Sequence, residues 1–277
     1  MNVTEIIKDA FLFPSKDAGK FAIYFLLSLF MVWFAFEGVF TYAFGLIDAK
    51  NYLIGGICLI ISLLIGFIIA GYHIRVIKSG IELDDAVPLF ELYENFMAGF
   101  DNFVVLIFYF MIPALIVMLV WLDTNVLGNA IAAGKEIALQ EFNVYFMGGS
   151  IDLAADAISN ALANFAISLA ITTTVALILF AIFLFLHSIA KARLVNTGSL
   201  KEALNIFEAA KDITRIGVGK VILLILLLVV IIAIIELILI VIFSGYLFLL
   251  LAIYILMTPY LILVIQRALG LLYSDIA

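Results

Sequence analysis

The sequence predicts an all-α polytopic membrane bundle of about six transmembrane helices. Three observations carry that prediction. Apolar residues make up 67% of the 277 positions and charged residues 13%, against roughly 45–50% and about 25% in soluble domains. The mean hydropathy is +1.30. Several apolar runs are as long as the roughly 20 residues needed to cross about 30 Å of hydrocarbon. A soluble body of this size cannot keep so much apolar surface from water. A transmembrane barrel would alternate polar and apolar positions, whereas these runs are solidly apolar. The lone cysteine, Cys58, excludes a disulfide scaffold, and a net charge of −7 argues against nucleic acid as a partner.

The first span is expected over 21–47. It follows Lys8, Lys16 and Lys20 as the core of a signal peptide would, but it is too long and lacks a small-residue cleavage site. It is therefore read as a retained helix. Spans two to six are expected over 52–78, 103–122, 166–190, 220–243 and 246–267, in a single transmembrane domain covering 1–277. Twelve of the 14 Lys and Arg residues fall on one side of these spans, and only Lys50 and Lys135 on the other. The positive-inside rule then places both termini in the cytoplasm of a multi-pass cell-membrane protein. That orientation leaves the Asn2-Val3-Thr4 sequon on the wrong side for glycosylation.

Two connections on the basic side look alike. After span two, Arg75 precedes Gly80, and an apolar stripe follows at Val87, Phe90, Tyr93, Phe96, Met97 and Phe100. After span four, Arg193 precedes Gly198, and the stripe is Leu200, Leu204, Phe207 and Ala210. Ser199 with Glu202 makes a capping box that starts a helix directly after Gly198. Steps of three and four residues predict two cytoplasmic interfacial amphipathic helices. The shared Arg-to-Gly spacing and the pairs Phe90-Glu91 and Phe207-Glu208 suggest an internal duplication with parallel repeats. A three-plus-three inverted partition competes with it, since Pro113 and Pro259 fall near the middle of spans three and six. Read more simply, the two prolines are helix kinks. The outer loop, 123–165, is expected to hold a short amphipathic helix through Ile131, Ile137, Leu139 and Phe142. A break at Gly148-Gly149-Ser150 follows, then a pattern from Ile151 and Ala154 through Ile158, Leu162 and Phe165 that runs on into span four.

Catalytic motifs are missing: there is no phosphate-binding glycine loop, metal-binding His-Glu pair or nucleophile elbow. No enzyme activity, cofactor or metal is therefore expected. Glu37 and Glu236 form the candidate ion or proton site, each about 25 Å above its cytoplasmic helix start. Ionisable groups at membrane depth cost roughly 2.5–3.5 kcal/mol on insertion scales, and two neighbouring carboxylates can share a proton or hold a cation. Alternatively, each simply hydrogen-bonds a neighbouring helix. His73, Arg75, His187 and Arg193 form a candidate inner-interface cluster. Glu82, Asp84 and Asp85 are read as a solvated turn, and Gln266 and Thr172-Thr173-Thr174 as interhelical glue. The expected function is non-enzymatic organisation of membrane lipid or partner proteins, with carboxylate-dependent transport as the alternative. Membrane lipids are the expected partners, with a homo-oligomer or another protein beside them.

Gly71-Tyr72 through Arg75 and Gly80, then Pro88, Phe90 and Ala98-Gly99-Phe100, resemble an archaeal membrane family named domain of unknown function 4013. Pro259-Tyr260, Arg267-Ala268-Leu269-Gly270 and Tyr273 resemble its C-terminal pattern, while Glu91-Leu92-Tyr93 departs from its acidic-aromatic stretch. The resemblance implies a multi-helix integral membrane protein, commonly archaeal, with no assigned activity and no functional residues to carry over.

Overall fold

Asn2 starts the first helix: its carboxamide accepts the Glu5 amide at 2.8 Å, and the Glu5 carboxylate accepts the Asn2 amide at 2.9 Å. This reciprocal cap opens α1 (Val3–Leu12), a helix the spacing of apolar residues alone did not announce. The computed structural model describes residues 1–44, 49–146 and 155–277. After a 3-10 turn (Phe13–Lys16) come α2 (Ala18–Phe44), α3 (Ala49–Ile81), α4 (Leu92–Asp123), α5 (Val126–Phe146) and α6 (Ala155–Thr197). The chain continues through α7 (Leu200–Ala203), α8 (Ile206–Ile216), α9 (Val218–Phe243) and α10 (Leu247–Tyr273). No strand occurs among the described residues. Six of these helices, α2, α3, α4, α6, α9 and α10, are long and apolar enough to cross a membrane, so this is a multi-pass membrane protein. The break expected at 148–150, and with it Ile151 and Ala154 of the pattern that follows, lies outside the described residues.

The first expected amphipathic helix is not a separate element. Residues 92–123 form one helix, so Tyr93, Phe96, Met97 and Phe100 belong to the opening turns of α4 itself. Its buried face is the opposite one, carried by Asn95, Gly99, Asn102 and Val105, while Tyr93 is 77% exposed. Lipid reverses the usual reading of a stripe. Apolar side chains face hydrocarbon, and small or polar ones allow helices to approach. A methyl group on Gly71 would fall on the Asn95 carbonyl, and one on Gly99 on the Phe67 carbonyl. The second amphipathic segment is split in two. Ser199 caps the four-residue α7, and then Asn205 accepts the Glu208 amide at 3.2 Å and restarts the helix as α8. That restart shifts the phase, so α8 buries Ala209, Asp212 and Ile216 and leaves Phe207 81% exposed.

The packing divides the chain into two units, residues 1–106 with 186–277, and residues 107–185. In the first, α1 lays Ile6 and Ala10 against the bundle, and Phe13, Tyr24, Ile69, Tyr72, Val76, Val87 and Leu263 close the core. Arg267 is buried there at 1% exposure. Its guanidinium donates to Asp9 at 2.8 Å, to the Asp84 carbonyl at 2.7 Å and to Ser79 at 3.1 Å, and stacks 4.5 Å from the Phe13 ring. Lys16 joins the same knot through Asp9 at 3.0 Å and Asp85 at 2.7 Å. A few residues away, Lys220 pairs with Asp275 and donates to the Met1 carbonyl at 2.7 Å.

The second unit is thinner. Thr124 and Thr172 hydroxyls meet at 3.0 Å, and Phe110 stacks on Phe180 with centroids 6.0 Å apart. Within α5, Val126 and Ala133 are buried, while the expected stripe of Ile131, Ile137, Leu139 and Phe142 is exposed. The helix α6 is continuous for 43 residues, roughly 65 Å at about 1.5 Å per residue, so it outruns the hydrocarbon thickness about twofold.

Candidate functional site

Three helices of the first unit leave a cleft of about 620 Å³ between them, within the roughly 300–1,000 Å³ of small-molecule sites. From α2 it is lined by Tyr24, Ser28, Met31, Trp33 and Phe36, from α3 by Ile69 and His73, and from α10 by Tyr254, Ile255, Pro259 and Ile262, among others. Val32, Trp33 and Phe36 are 59%, 66% and 67% exposed, so the mouth opens on the outer surface of helices apolar enough to cross a membrane.

The cleft is apolar for most of its length because its hydroxyls are turned onto their own backbones. Ser28 donates to the Tyr24 carbonyl at 2.9 Å and Thr258 to the Tyr254 carbonyl at 2.8 Å. Two features break the pattern. Pro259 has no N–H, so the Ile255 carbonyl one turn earlier loses its helical donor at the cleft wall. At the basic end, the Tyr24 hydroxyl meets His73 Nε2 at 2.9 Å. Behind that pair, Lys191 donates to Gln266 Oε1 at 2.8 Å. Lys191 also stands close enough to act electrostatically on both His73 and His187.

The four residues of the expected inner cluster go to three places. His73 lines the cleft, and His187 is buried near Lys191. Arg75 turns outward to Glu91 at 2.6 Å and to Glu94, and its guanidinium holds the Glu91 carboxyl below the ordinary carboxylate value. Arg193 turns to Asp212 at 2.8 Å and Glu202 at 2.8 Å, and Tyr273 donates to the same Asp212 at 2.8 Å. The two histidines thus share a neighbour, while each arginine serves its own connection. Glu37 is half-buried on α2 and Glu236 is exposed on α9. Among the described residues neither side chain makes a hydrogen bond or an ion pair. Pro113 and Pro259 are both buried inside long helices, α4 and α10. No group of three or more His, Cys, Asp or Glu side chains suited to a metal occurs among the described residues. Asp85 is engaged by Lys16, and Glu82 by Lys78 at 3.8 Å.

Sequence reasoning passed over Tyr24 and Lys191. Tyr24 looked like one more aromatic in an apolar run, and His73 is 49 positions away. Lys191 was counted as a loop residue, yet α6 continues six residues beyond it. Asn95 was also missed: it is fully buried, and both polar atoms of its side chain lack a hydrogen-bond partner. A polar residue repeating at four- and three-residue steps with Gly99 and Asn102 is the signal that marks this inward face.

The residues that carry the family resemblance are structural joints. Phe90 stacks on Tyr72 with centroids 4.0 Å apart, and Gly71 meets α4 near Gly99. Gly80 meets Gly270, and Tyr260 donates to the Phe11 carbonyl. No curated protein and no solved structure matches the chain. A family described as protein of unknown function (DUF4013) matches residues 54–244, a stretch that ends before Pro259 and the C-terminal motif. Covering more than half of its length, that match shows that the chain belongs to the DUF4013 family.

Proposed function

We propose that this chain is a non-enzymatic protein of the cell membrane that organises its surroundings by holding membrane lipid, with both termini on the cytoplasmic side. The observation that supports the reading is the cleft between α2, α3 and α10. Its walls are apolar, its mouth is lined by exposed Val32, Trp33 and Phe36, and hydrocarbon chains are what such a mouth meets in a bilayer. The orientation is supported by the twelve-to-two division of Lys and Arg.

The test uses the chain's own fluorescence, because Trp33 and Trp121 are its two tryptophans. In a Trp121→Phe background purified in detergent, Trp33 is titrated with phosphatidylcholine or phosphatidylglycerol brominated on the acyl chain. Quenching that saturates near one lipid per chain, and that Ile69→Phe weakens by filling the cleft, is the expected result. Quenching by both lipids that only rises in proportion to lipid content would defeat the reading. The alternative, transport through Glu37 and Glu236, requires ion flux in liposomes that Glu37→Gln and Glu236→Gln each abolish. Neither carboxylate has a partner that would draw the two into one site.

A further inference from the structure

Among the Lys and Arg residues whose side chains are described on the six membrane-crossing helices, all but one have a carboxylate within 4.0 Å. Lys20 has Asp17, Arg75 has Glu91 and Glu94, Lys78 has Glu82, Arg193 has Glu202 and Asp212, Lys220 has Asp275, and Arg267 has Asp9. The exception is Lys191, whose hydrogen-bond partner is the neutral amide of Gln266. A cation taken out of bulk water is ordinarily paired, because an isolated charge in an apolar setting is costly. This chain follows that rule at all the other positions. The departure therefore points to an anion that is not part of the chain.

The position of Lys191 says what kind of anion. Gln266 lies four residues beyond Ile262 and seven beyond Pro259, so all three share one face of α10; Ile262 and Pro259 line the cleft. His73 likewise lies four residues beyond the lining residue Ile69 on α3, and Lys191 acts on it electrostatically. The lining thus ends, toward the basic end of the bundle, at Tyr24 and His73, and the next turn of the lining face of α10 carries Gln266 with Lys191 bonded to it. Such a sequence, apolar walls and then donors and one uncompensated cation, fits an amphiphile with a chain at one end and a negative charge at the other.

We infer that the cleft selects anionic amphiphiles, with the charged headgroup held at Lys191 and the His73–Tyr24 pair. The inference rests on the lipid-holding reading given above. A lipid phosphate and a fatty-acid carboxylate share the required chemistry, and separate titrations tell them apart.

The same Trp33 quenching is run with brominated phosphatidylcholine, phosphatidylglycerol and a brominated stearate, on the parent, Lys191→Gln and Lys191→Arg. At least one of the two anionic probes should bind the parent on the order of tenfold more tightly than phosphatidylcholine. Lys191→Gln should bring that probe to the level of phosphatidylcholine, and Lys191→Arg should retain the preference. Whichever anionic probe loses affinity identifies the headgroup. Saturable binding that is equal for all three probes, or a preference that survives Lys191→Gln, overturns the inference while the lipid-holding reading stands. No saturable binding of any probe removes both. A thermal midpoint in detergent equal to that of the parent shows that Lys191→Gln is folded.

Discussion

Arg75 and Arg193 each stand five residues before a glycine at the basic end of a long helix, and the two connections use that arrangement differently. Arg75 reaches carboxylates that are 44% and 65% exposed, whereas Arg193 reaches Asp212, which is 1% exposed and also accepts from Tyr273 near the end of α10. The glycines differ too. Gly80 lies inside α3, where it lets Gly270 of α10 come close, while Gly198 ends α6 in the left-handed region at φ +64°. One sequence motif therefore yields an exposed brace in one place and a buried lock in the other. A likeness at the level of Arg, Gly and Phe-Glu does not carry the surroundings that give each residue its effect.

Breaking the buried lock should produce the largest effect. Asp212→Ala leaves the Arg193 guanidinium half-satisfied and should cost about 3–5 kcal/mol, read as a lowered thermal midpoint in detergent. Retention of the parent midpoint would mean that Arg193 finds enough compensation in Glu202 alone. Substituting the glycines should separate their roles next. Gly80→Ala forces α3 and α10 apart where their backbones touch. Gly198→Ala faces only the strain of a left-handed residue, about 1–2 kcal/mol. The Gly80 variant should be the less stable of the two, and the reverse order would remove the close-approach argument.

Acid should loosen α1. Burial raises the Asp9 carboxyl, but hydrogen bonds from Arg267 and Lys16 outweigh it and leave the group below its ordinary value. A carboxylate depressed in the folded state contributes stability that is fully present above its unfolded value, about pH 3.9, and is lost as pH falls through the folded value. The protection of the α1 amides, taken relative to their intrinsic exchange rates, should hold from neutral pH down to about 4 and fall below it. Loss of protection beginning near pH 6 would implicate a different group. The smallest effect is expected from Glu91→Gln, which should leave the thermal midpoint within the scatter of the parent, since an exposed ion pair is strongly screened.

The six membrane helices were legible because hydrocarbon demands about 20 unbroken apolar residues, and nothing else in the chain satisfies that demand. Their ends were less so. The windows stopped at Lys78, Phe103 or Ala190 because charged and polar residues were assigned to loops, yet α3, α4 and α6 carry such residues as buried contacts. Asn2 and Glu5 spelled out a capping box that would have revealed α1. The cleft was not legible at all. It depends on which faces of α2, α3 and α10 meet, and Tyr24, His73 and Thr258 are brought together only by that packing.

Arg267 and Asp9 are separated by 258 positions in the chain. At synthesis rates of roughly 5–20 residues per second, Asp9 waits about 13–50 s for that guanidinium, with Lys16 as its early partner. During that interval α1 has no guanidinium to hold it and no completed surface for Ile6 and Ala10. The docking of α1 thus reads as a latch that closes only once α10 has been made.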